Sequence, residues 1–234
     1  MNVIVTGTSR GIGRELVKAF CRKIRSGTIY AFTRREGVTK PLRRDCEAIN
    51  PAVNVHGVIH NMNARSYDAY REQLFPKNIR IDIIVNNAGM LVNKPFGRIT
   101  QEELRAVYDA NLFYPFGIIQ ACLPRMRKGS HIVNISSMGG VQGSAKFPGL
   151  SAYSSSKGAL AVLSECLAEE FKPKGIAVNC LALGAVQTEM LKEAFPGYKA
   201  PLSARQMAEF IADFSLKGHR YFNGKILPVS LSTP

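Results

Sequence analysis

Tyr153 and Lys157, four residues apart, are the side chains of this protein best suited to moving a proton. They open a stretch, 153–171, whose sequence predicts a helix, and residues at this spacing lie on one helix face. A free phenol has a pKa of about 10, which is high for proton transfer at neutral pH. We predict that the neighbouring ammonium lowers the pKa of Tyr153 towards the working pH. The competing interpretation is an exposed pair without function on a solvated helix.

Two serines precede this helix at the end of a buried strand predicted over 131–135. If Ser136 or Ser137 lies opposite Tyr153, its hydroxyl could bond a substrate carbonyl. The alternative interpretation is that both serines are ordinary turn residues. Neither serine lies in a GxSxG motif, so the sequence does not predict a hydrolase nucleophile.

The N-terminal region predicts a strand over 2–5, a glycine-rich turn over 6–13 with the pattern TGxxxGxG, and a helix over 14–25. Glycines let the backbone approach a pyrophosphate, and a helix N-terminus offers free N–H groups and a positive dipole. A simple turn is the other interpretation of the motif alone. The candidate phosphate-binding residues are Gly7, Ser9, Arg10, Gly11, Ile12 and Gly13.

Two arginines follow the second predicted strand, 28–32. In dinucleotide-binding folds an acid at this point bonds the ribose 2′-hydroxyl, whereas an arginine accommodates a 2′-phosphate. Here no acid is present, Arg34 and Arg35 follow at once, and Arg10 could reach the same phosphate. The sequence therefore predicts NADP(H) as the cofactor, with NAD(H) less favoured.

The composition indicates one globular α/β domain over 1–234, with a cofactor half at about 1–130 and a catalytic half at about 131–234. Hydrophobic residues make up 46%, but no apolar run reaches the roughly 20 residues that span a bilayer. The apolar run at 3–5 is too short for a secretory signal. The five cysteines lack the spacing of a zinc site, so we expect a reduced, cytoplasmic protein without a metal or a membrane anchor.

The net charge of +14 is concentrated near the N-terminus, where residues 10–44 contain eleven Lys and Arg and two acids. A nucleic-acid patch is one interpretation. No helix-turn-helix, aromatic platform or zinc module accompanies the charge, so we predict no nucleic-acid partner. The stretch includes the glycine-rich turn, which favours a phosphorylated small molecule, and many of the charges are expected to be solvated helix surface.

Strands and helices alternate along the rest of the chain, which predicts a parallel sheet covered on both faces. Further strands are expected at 53–59, 81–85, 176–181 and 225–229, and a helix at 64–75. Capping boxes at 100–103 and 203–206 predict helices there, the first reaching about residue 127. Residues 189–202 are expected to form a mobile flap.

Asn111 and Pro115 lie four residues apart inside the helix predicted from residue 100. Proline has no N–H, so the carbonyl of Asn111 loses its usual helical partner. An ordinary proline kink is one interpretation. The other is a free carbonyl that holds a water molecule near the active site.

With these motifs in this order, the chain resembles the short-chain dehydrogenase/reductase family over nearly its whole length. The resemblance rests on the turn at 6–13, the Asn-Asn-Ala-Gly run at 86–89, Asn111, Ser137, Tyr153 with Lys157, and Gly184 with Thr188. It implies a Rossmann-type, doubly wound, mostly parallel seven-stranded sheet with helices on both faces.

The resemblance also implies roles for single residues. Tyr153 would be the general acid/base, Lys157 would lower its pKa and bond the nicotinamide ribose, and Ser137 would orient and polarise the carbonyl. Asn111 would hold the water of a proton relay that ends at Lys157. The other cofactor-binding residues implied are Asn61, Met62, Asn87, Ala88, Gly89, Gly184, Val186 and Thr188.

The chain departs from the family pattern at several positions. Asn61 stands where the family usually has an acid near the adenine, and Leu183 replaces a proline, which predicts a looser backbone under the nicotinamide. The segment between Ser137 and Tyr153 is longer than is typical, and residues 146–148 are expected to reshape the substrate pocket.

Three functions follow as hypotheses. The first is an NADPH-dependent reductase of a small ketone or aldehyde, reversibly an alcohol dehydrogenase, and the second is a 3-oxoacyl thioester reductase. The third is a regulatory protein that binds NADP(H) without turnover, against which the Ser137, Tyr153 and Lys157 set argues. The helices at 100–127 and 151–171 resemble the family's pairing surface, which implies a homodimer or a homotetramer.

Overall fold

The computed structural model describes residues 1–59 and 79–231, and within them a seven-stranded sheet in which every pair of neighbouring strands is parallel. The strand order is β3-β2-β1-β4-β5-β6-β9. The predicted helix at 64–75, together with Asn61 and Met62, lies outside the described residues. The strands of this sheet are β1 (Asn2–Thr6), β2 (Gly27–Thr33), β3 (Val53–Ile59), β4 (Ile83–Asn86), β5 (His131–Ser137), β6 (Ala177–Leu183) and β9 (Ile226–Val229).

Helices connect the strands and cover both faces of the sheet. They are α1 (Gly11–Lys23), α2 (Thr39–Ile49), α3 (Gln101–Tyr108), α4 (Tyr114–Cys122), α5 (Ser151–Phe171), α6 (Glu189–Ala194) and α7 (Ala204–Lys217). The predicted doubly wound seven-stranded sheet is thus confirmed, as a single Rossmann-like domain.

The two faces of the sheet follow from the alternation of side chains along each buried strand. In β1, Val3 and Val5 belong to the core under α1, α2 and α7, whereas Ile4 belongs to the core under α4 and α5. All three side chains are fully buried. Burial on both faces explains why the strands are continuous apolar runs.

Both predicted capping boxes are confirmed. The hydroxyl of Thr100 accepts the N–H of Glu103 at the start of α3, and Ser203 does the same for Gln206 at the start of α7. The helix predicted from residue 100 to about 127 is interrupted by a π-helical turn, Asp109–Phe113, between α3 and α4. This turn surrounds Asn111 and directly precedes Pro115, which has no N–H to continue the regular bonding.

Two helices and a small two-stranded sheet were not predicted. The helix α2 has only Leu42 and Cys46 buried, so its apolar stripe is too thin to be recognised, and Pro41 lies in its first turn, where proline is tolerated. The predicted flap at 189–202 contains the short helix α6. The flap is bounded by β7 (Val186–Gln187) and β8 (Leu202–Ser203), which pair in parallel as a second, two-stranded sheet.

In the described part of the chain, the helices are all too short or too polar to cross a membrane.

Candidate active site

The glycine-rich loop connects β1 to α1 and lines a cleft at the carboxyl edge of the sheet. Gly7 has a φ of 74°, in the left-handed region that favours glycine. A Cβ on Gly13 would lie 2.2 Å from the carbonyl oxygen of Gly7, so the close approach of helix and loop requires glycine. The first turn of α1 has neither an acidic residue nor a side-chain cap, so its N–H groups are open to an anion.

Three arginines surround this loop. Arg34 and Arg35 follow β2, are exposed, and line the cleft. The guanidinium of Arg10 lies 2.8 Å from the carboxylate of Glu193 on α6, and this contact lowers the pKa of Glu193. We call residues 7–13 together with the two arginines after β2 the glycine-loop end of the cleft.

The Asn-Asn-Ala-Gly run after β4 is fixed to the end of β1 by hydrogen bonds. The hydroxyl of Thr6 accepts the N–H groups of Asn87 and Ala88, both at 3.0 Å. The side-chain amide of Asn87 donates to the carbonyl of Thr6 at 3.0 Å. These bonds hold the two loops side by side at the carboxyl ends of neighbouring parallel strands, where ligands bind in doubly wound sheets.

Asn111 is fully buried behind the cleft, and its side chain connects two segments. Its Oδ1 accepts the N–H of Met90 at 2.8 Å, and its Nδ2 donates to the carbonyl of Met90 and to Ser156 Oγ, both at 2.9 Å. A Cβ on Gly89 would lie 3.2 Å from Asn111 Oδ1 and 3.4 Å from Lys157 Nζ. Sequence reasoning considered only the Asn111 carbonyl and missed this positioning by the side chain.

The two serines at the end of β5 face opposite ways, because neighbouring side chains of a strand alternate. Ser136 Oγ donates to the carbonyl of Lys157 at 2.8 Å and is buried in the core. Ser137 lines the cleft and accepts the N–H of Gly139 at 3.2 Å, and its hydroxyl lies close enough to the phenol of Tyr153 to oppose the rise in the pKa of that phenol. Of the two hydroxyls, that of Ser137 is therefore the one opposite Tyr153.

Lys157 is 3% exposed, and its Nζ donates to the carbonyl of Ile135 at 2.7 Å. Burial lowers the pKa of Lys157 to about 8. The ammonium lies 5.9 Å from the centre of the Tyr153 ring. We call Ser137, Tyr153 and Lys157 the tyrosine end of the cleft.

The prediction that Lys157 lowers the pKa of Tyr153 is wrong for this structure. Burial raises the pKa of Tyr153, and only the hydrogen bond from Ser137 acts in the other direction. The physical reason is desolvation, which disfavours a buried phenolate, while the ammonium is itself directed at the Ile135 carbonyl. Tyr153 is therefore held in the protonated form, which is the form a proton donor needs.

The segment after β6 completes the wall of the cleft with Gly184, Val186 and Thr188. Thr188 caps α6 through its hydroxyl. Leu183 was predicted to loosen this backbone, but Leu183 is the buried last residue of β6 and the N–H of Gly184 donates to the carbonyl of Val229 at 3.0 Å. The ladder bond to β9 thus fixes the chain at the point where proline would have stiffened it.

Nearly all predicted site residues within the described chain line this one cleft. Asn111 is the exception, because it lies behind the wall. The predicted residues lining the cleft are Gly7, Ser9, Arg10, Gly11, Ile12, Gly13, Arg34, Arg35, Asn87, Ala88, Gly89, Ser137, Tyr153, Lys157, Gly184, Val186 and Thr188.

Sequence reasoning expected residues 146–148 at the substrate pocket and 189–202 in a flap, but it missed two contacts that these segments make. The carboxylates of Glu189 and Glu193 face Arg10 from α6. The rings of Phe147 and Phe195 meet at the cleft, with centroids 5.9 Å apart. Both contacts join segments far apart in the sequence, and no local pattern signals such pairing.

The residues of the cleft fit a dinucleotide. The open N-terminus of α1 and the left-handed glycine turn suit a pyrophosphate, and the arginines suit an additional phosphate. Glu193 holds Arg10 in this structure, so a phosphate that binds Arg10 has to displace that carboxylate. The fold and the cleft together define a dinucleotide-binding protein with a tyrosine–lysine–serine site.

Comparison with known proteins gives a family. Residues 1–199 match the family described as short chain dehydrogenase. The 3-oxoacyl-[acyl-carrier-protein] reductase of Chlamydia trachomatis is 31% identical over 97% of this chain and 94% of its own length. Carbonyl reductase [NADPH] 2 of Sus scrofa is 32% identical over 81% of this chain and 73% of its own length.

A solved structure has the same fold. The blue fluorescent protein from a metagenomic library, in complex with NADPH, superposes with a TM-score of 0.84 at 25% identity, covering 98% of this chain and 96% of that one. The chain belongs to the short-chain dehydrogenase/reductase family and is an oxidoreductase of CH–OH and C=O groups.

Proposed function

We propose that this protein reduces a ketone or aldehyde with NADPH, and reversibly oxidises the alcohol. The observation that carries the proposal is that Ser137, Tyr153 and Lys157 line one wall of the cleft together, with the Lys157 ammonium 5.9 Å from the centre of the Tyr153 ring. A protein that only binds a dinucleotide has no need of this set.

Tyr153 is the general acid, which donates its proton to the carbonyl oxygen. The raised pKa of Tyr153 keeps this proton in place at neutral pH. The hydroxyl of Ser137, fixed by the N–H of Gly139, lies where it can bond the same oxygen as negative charge develops on it. When bound, the nicotinamide supplies the hydride.

Lys157 supplies the positive charge beside Tyr153 and bonds the nicotinamide ribose. Its ammonium is positioned by the Ile135 carbonyl, so it needs little reorganisation. Asn111 acts behind it: its side chain fixes the backbone of Met90, and its carbonyl holds the water of a proton relay ending at Lys157.

The cofactor we propose is NADP(H). Arg10, Arg34 and Arg35 at the glycine-loop end suit a 2′-phosphate, and no acid follows β2 until Glu36. Two relatives support this choice, since one is named as an NADPH carbonyl reductase and the other was solved with NADPH. Gly184, Val186 and Thr188 would contact the nicotinamide.

A second candidate is reduction of a 3-oxoacyl thioester. The relative that covers 97% of this chain carries that activity in its name. Both candidates use the same tyrosine end, so the substrate decides between them. A non-catalytic, NADP-binding regulator is the third possibility, which turnover of any carbonyl substrate would exclude.

We further propose a cytoplasmic homodimer or homotetramer, with residues 1–130 holding the cofactor and 131–234 the catalytic groups. An apolar surface on the helical stretches 101–122 and 151–171 supports association. Its exposed members are Leu104, Phe113, Phe116 and Val162. Size-exclusion chromatography with light scattering tests it.

The proposed function is tested by titrating the purified protein with NADPH and NADH, and then following NADPH oxidation with added carbonyl compounds. We expect tight NADPH binding, weak NADH binding and carbonyl-dependent oxidation. A preference for NADH would refute the role given to the arginines. Binding of NADPH without turnover of any ketone, aldehyde or 3-oxoacyl thioester would favour the regulatory protein.

A further inference from the structure

Two phenylalanine rings meet at the cleft and have no part in the chemistry described above. Phe147 belongs to the loop after β5, and Phe195 directly follows α6. Their centroids are 5.9 Å apart with an interplanar angle of 76°, an edge-to-face contact. Both rings are half-buried and both line the cleft, so each keeps a surface that a ligand can contact.

Apolar side chains line the same cleft as these rings. We call the two rings and their apolar neighbours along the cleft the apolar collar. The neighbours are Leu91, Met138, Leu150, Met190 and Leu191. The loop after β5, the segment after β4 and the helix α6 all contribute to the collar, and the collar lines the same cleft as the tyrosine end.

Two charged side chains close in sequence to the rings are directed elsewhere. The ammonium of Lys146, next to Phe147, donates to the carbonyls of Val141 and Ser144 and to Ser144 Oγ, at 2.7 to 3.1 Å. On α6, the carboxylate of Glu193 pairs with Arg10. These charges are therefore bound to their own loop or to the glycine-loop end.

The charged residues in the described lining of the cleft also lie away from the collar. Four of the five, namely Arg10, Arg34, Arg35 and Glu189, belong to the glycine-loop end or contact it electrostatically, and the fifth is the buried Lys157. A charged group on a substrate would thus find no partner in the collar and would lose its hydration there.

The collar is also held in place. The side-chain amide of Asn93 donates to the carbonyl of Ala194, the residue before Phe195, at 2.9 Å. The N–H of the next residue, Lys94, donates to the carbonyl of Gly149, two residues after Phe147, at 3.0 Å. One short segment thus supports both rings, so their contact is built into the fold.

We propose that the substrates are neutral carbonyl compounds whose apolar substituent, preferably an aromatic ring, contacts Phe147 and Phe195. This inference rests on the proposed carbonyl reduction. In the reaction, NADPH transfers a hydride to the carbonyl carbon and Tyr153 transfers a proton to the oxygen, giving the secondary or primary alcohol and NADP⁺. The collar gains apolar contact from such a substituent and penalises a charged or polyhydroxylated one.

Three ketones test the proposal by NADPH oxidation: acetophenone, 4-acetylbenzoate and dihydroxyacetone. The first two share one ring, and only the second carries a carboxylate. We expect kcat/KM for acetophenone to exceed that for either other ketone by roughly tenfold or more. Phe147→Ala and Phe195→Ala should each lower kcat/KM for acetophenone about tenfold, mainly through KM, without changing the Kd for NADPH.

Phe210→Ala is the matched control, because it removes an exposed ring of α7. It should leave all three ketones unaffected. Faster reduction of 4-acetylbenzoate or dihydroxyacetone than of acetophenone would overturn the inference and leave carbonyl reduction standing. So would equal rates for acetophenone in the two cleft variants and the control. NADPH binding without reduction of any carbonyl compound would instead refute the proposed function, and the inference with it.

Discussion

The two ends of the cleft position their charges in opposite ways. At the tyrosine end, Lys157 is 3% exposed and is held by a backbone carbonyl, and Tyr153 is half-buried beside Ser137. At the glycine-loop end, Arg34 and Arg35 are exposed, and the Arg10 side chain is 37% exposed and paired with Glu193.

This difference separates the groups that carry out the reaction from the groups that select the cofactor. Groups held in place before the reaction cost little reorganisation during it, so each is hard to replace. Exposed cations act together on one anion, and solvent screens each of them. Changes at the tyrosine end should therefore affect the rate strongly, and changes at the glycine-loop end should affect the choice of cofactor moderately.

Among the variants that test this contrast, Tyr153→Phe should give the largest effect on the rate. The variant keeps the ring and removes the proton, so kcat for reduction should fall by roughly 10²–10⁴-fold. The Kd for NADPH should remain close to that of the wild type, as measured by fluorescence titration. Unchanged turnover would rule out Tyr153 as the acid.

The double variant Arg10→Ala with Arg34→Asp tests the glycine-loop end. Loss of two charge-assisted contacts should weaken NADPH binding on the order of 10–100-fold and leave NADH binding nearly unchanged. Calorimetry with both cofactors measures the difference. Equal losses for the two cofactors would show that these arginines do not read a 2′-phosphate.

The pH profile of reduction tests the burial of Lys157. The ordinary pKa of lysine is 10.5, and the pKa of Lys157 is about 8. The ammonium form is thus lost as pH rises through about 8, and kcat/KM should fall about tenfold per pH unit above that point. Lys157→Arg is the control, because its charge persists above about pH 12 and its residual activity should not decline there. A flat wild-type profile to about pH 10 would contradict the role of the ammonium.

Glu193→Gln should give the smallest effect of these variants. It should strengthen NADPH binding, whereas the arginine variants weaken it. The carboxylate competes with a phosphate for Arg10, so its removal should tighten NADPH binding about two- to fivefold, more at low salt. NADH lacks the 2′-phosphate, so its affinity should change less. Weaker NADPH binding by the variant would show that Glu193 helps the cofactor.

The order of strands and helices, and most of the cleft, could be predicted because their signals are local. Gly7 and Gly13 mark a turn between a strand and a helix, and Tyr153 and Lys157 are one helical turn apart. Within each pattern, the residues lie only a few positions apart in the sequence.

What could not be predicted depends on distant partners. Arg10 meets a residue 183 positions away, and Phe147 meets Phe195 through two separate loops. The pKa of Tyr153 depends on burial, which a spacing of four residues does not reveal. The helix α2 was missed because only its Leu42 and Cys46 are buried, which leaves too few apolar positions to show a helical period in the sequence.

The packing of α1 against α7 has a consequence for how the protein is made. Phe20 of α1 shares a core with Ile211 of α7, and Lys23 pairs with Asp213 at 2.9 Å. The ribosome produces α1 (Gly11–Lys23) well before α7 (Ala204–Lys217), so the apolar side of α1 lacks this cover while the intervening residues are made. A chain emerging at about 5–20 residues per second would expose that side for many seconds. We therefore expect this side of α1 to stay partly uncovered until α7 leaves the exit tunnel.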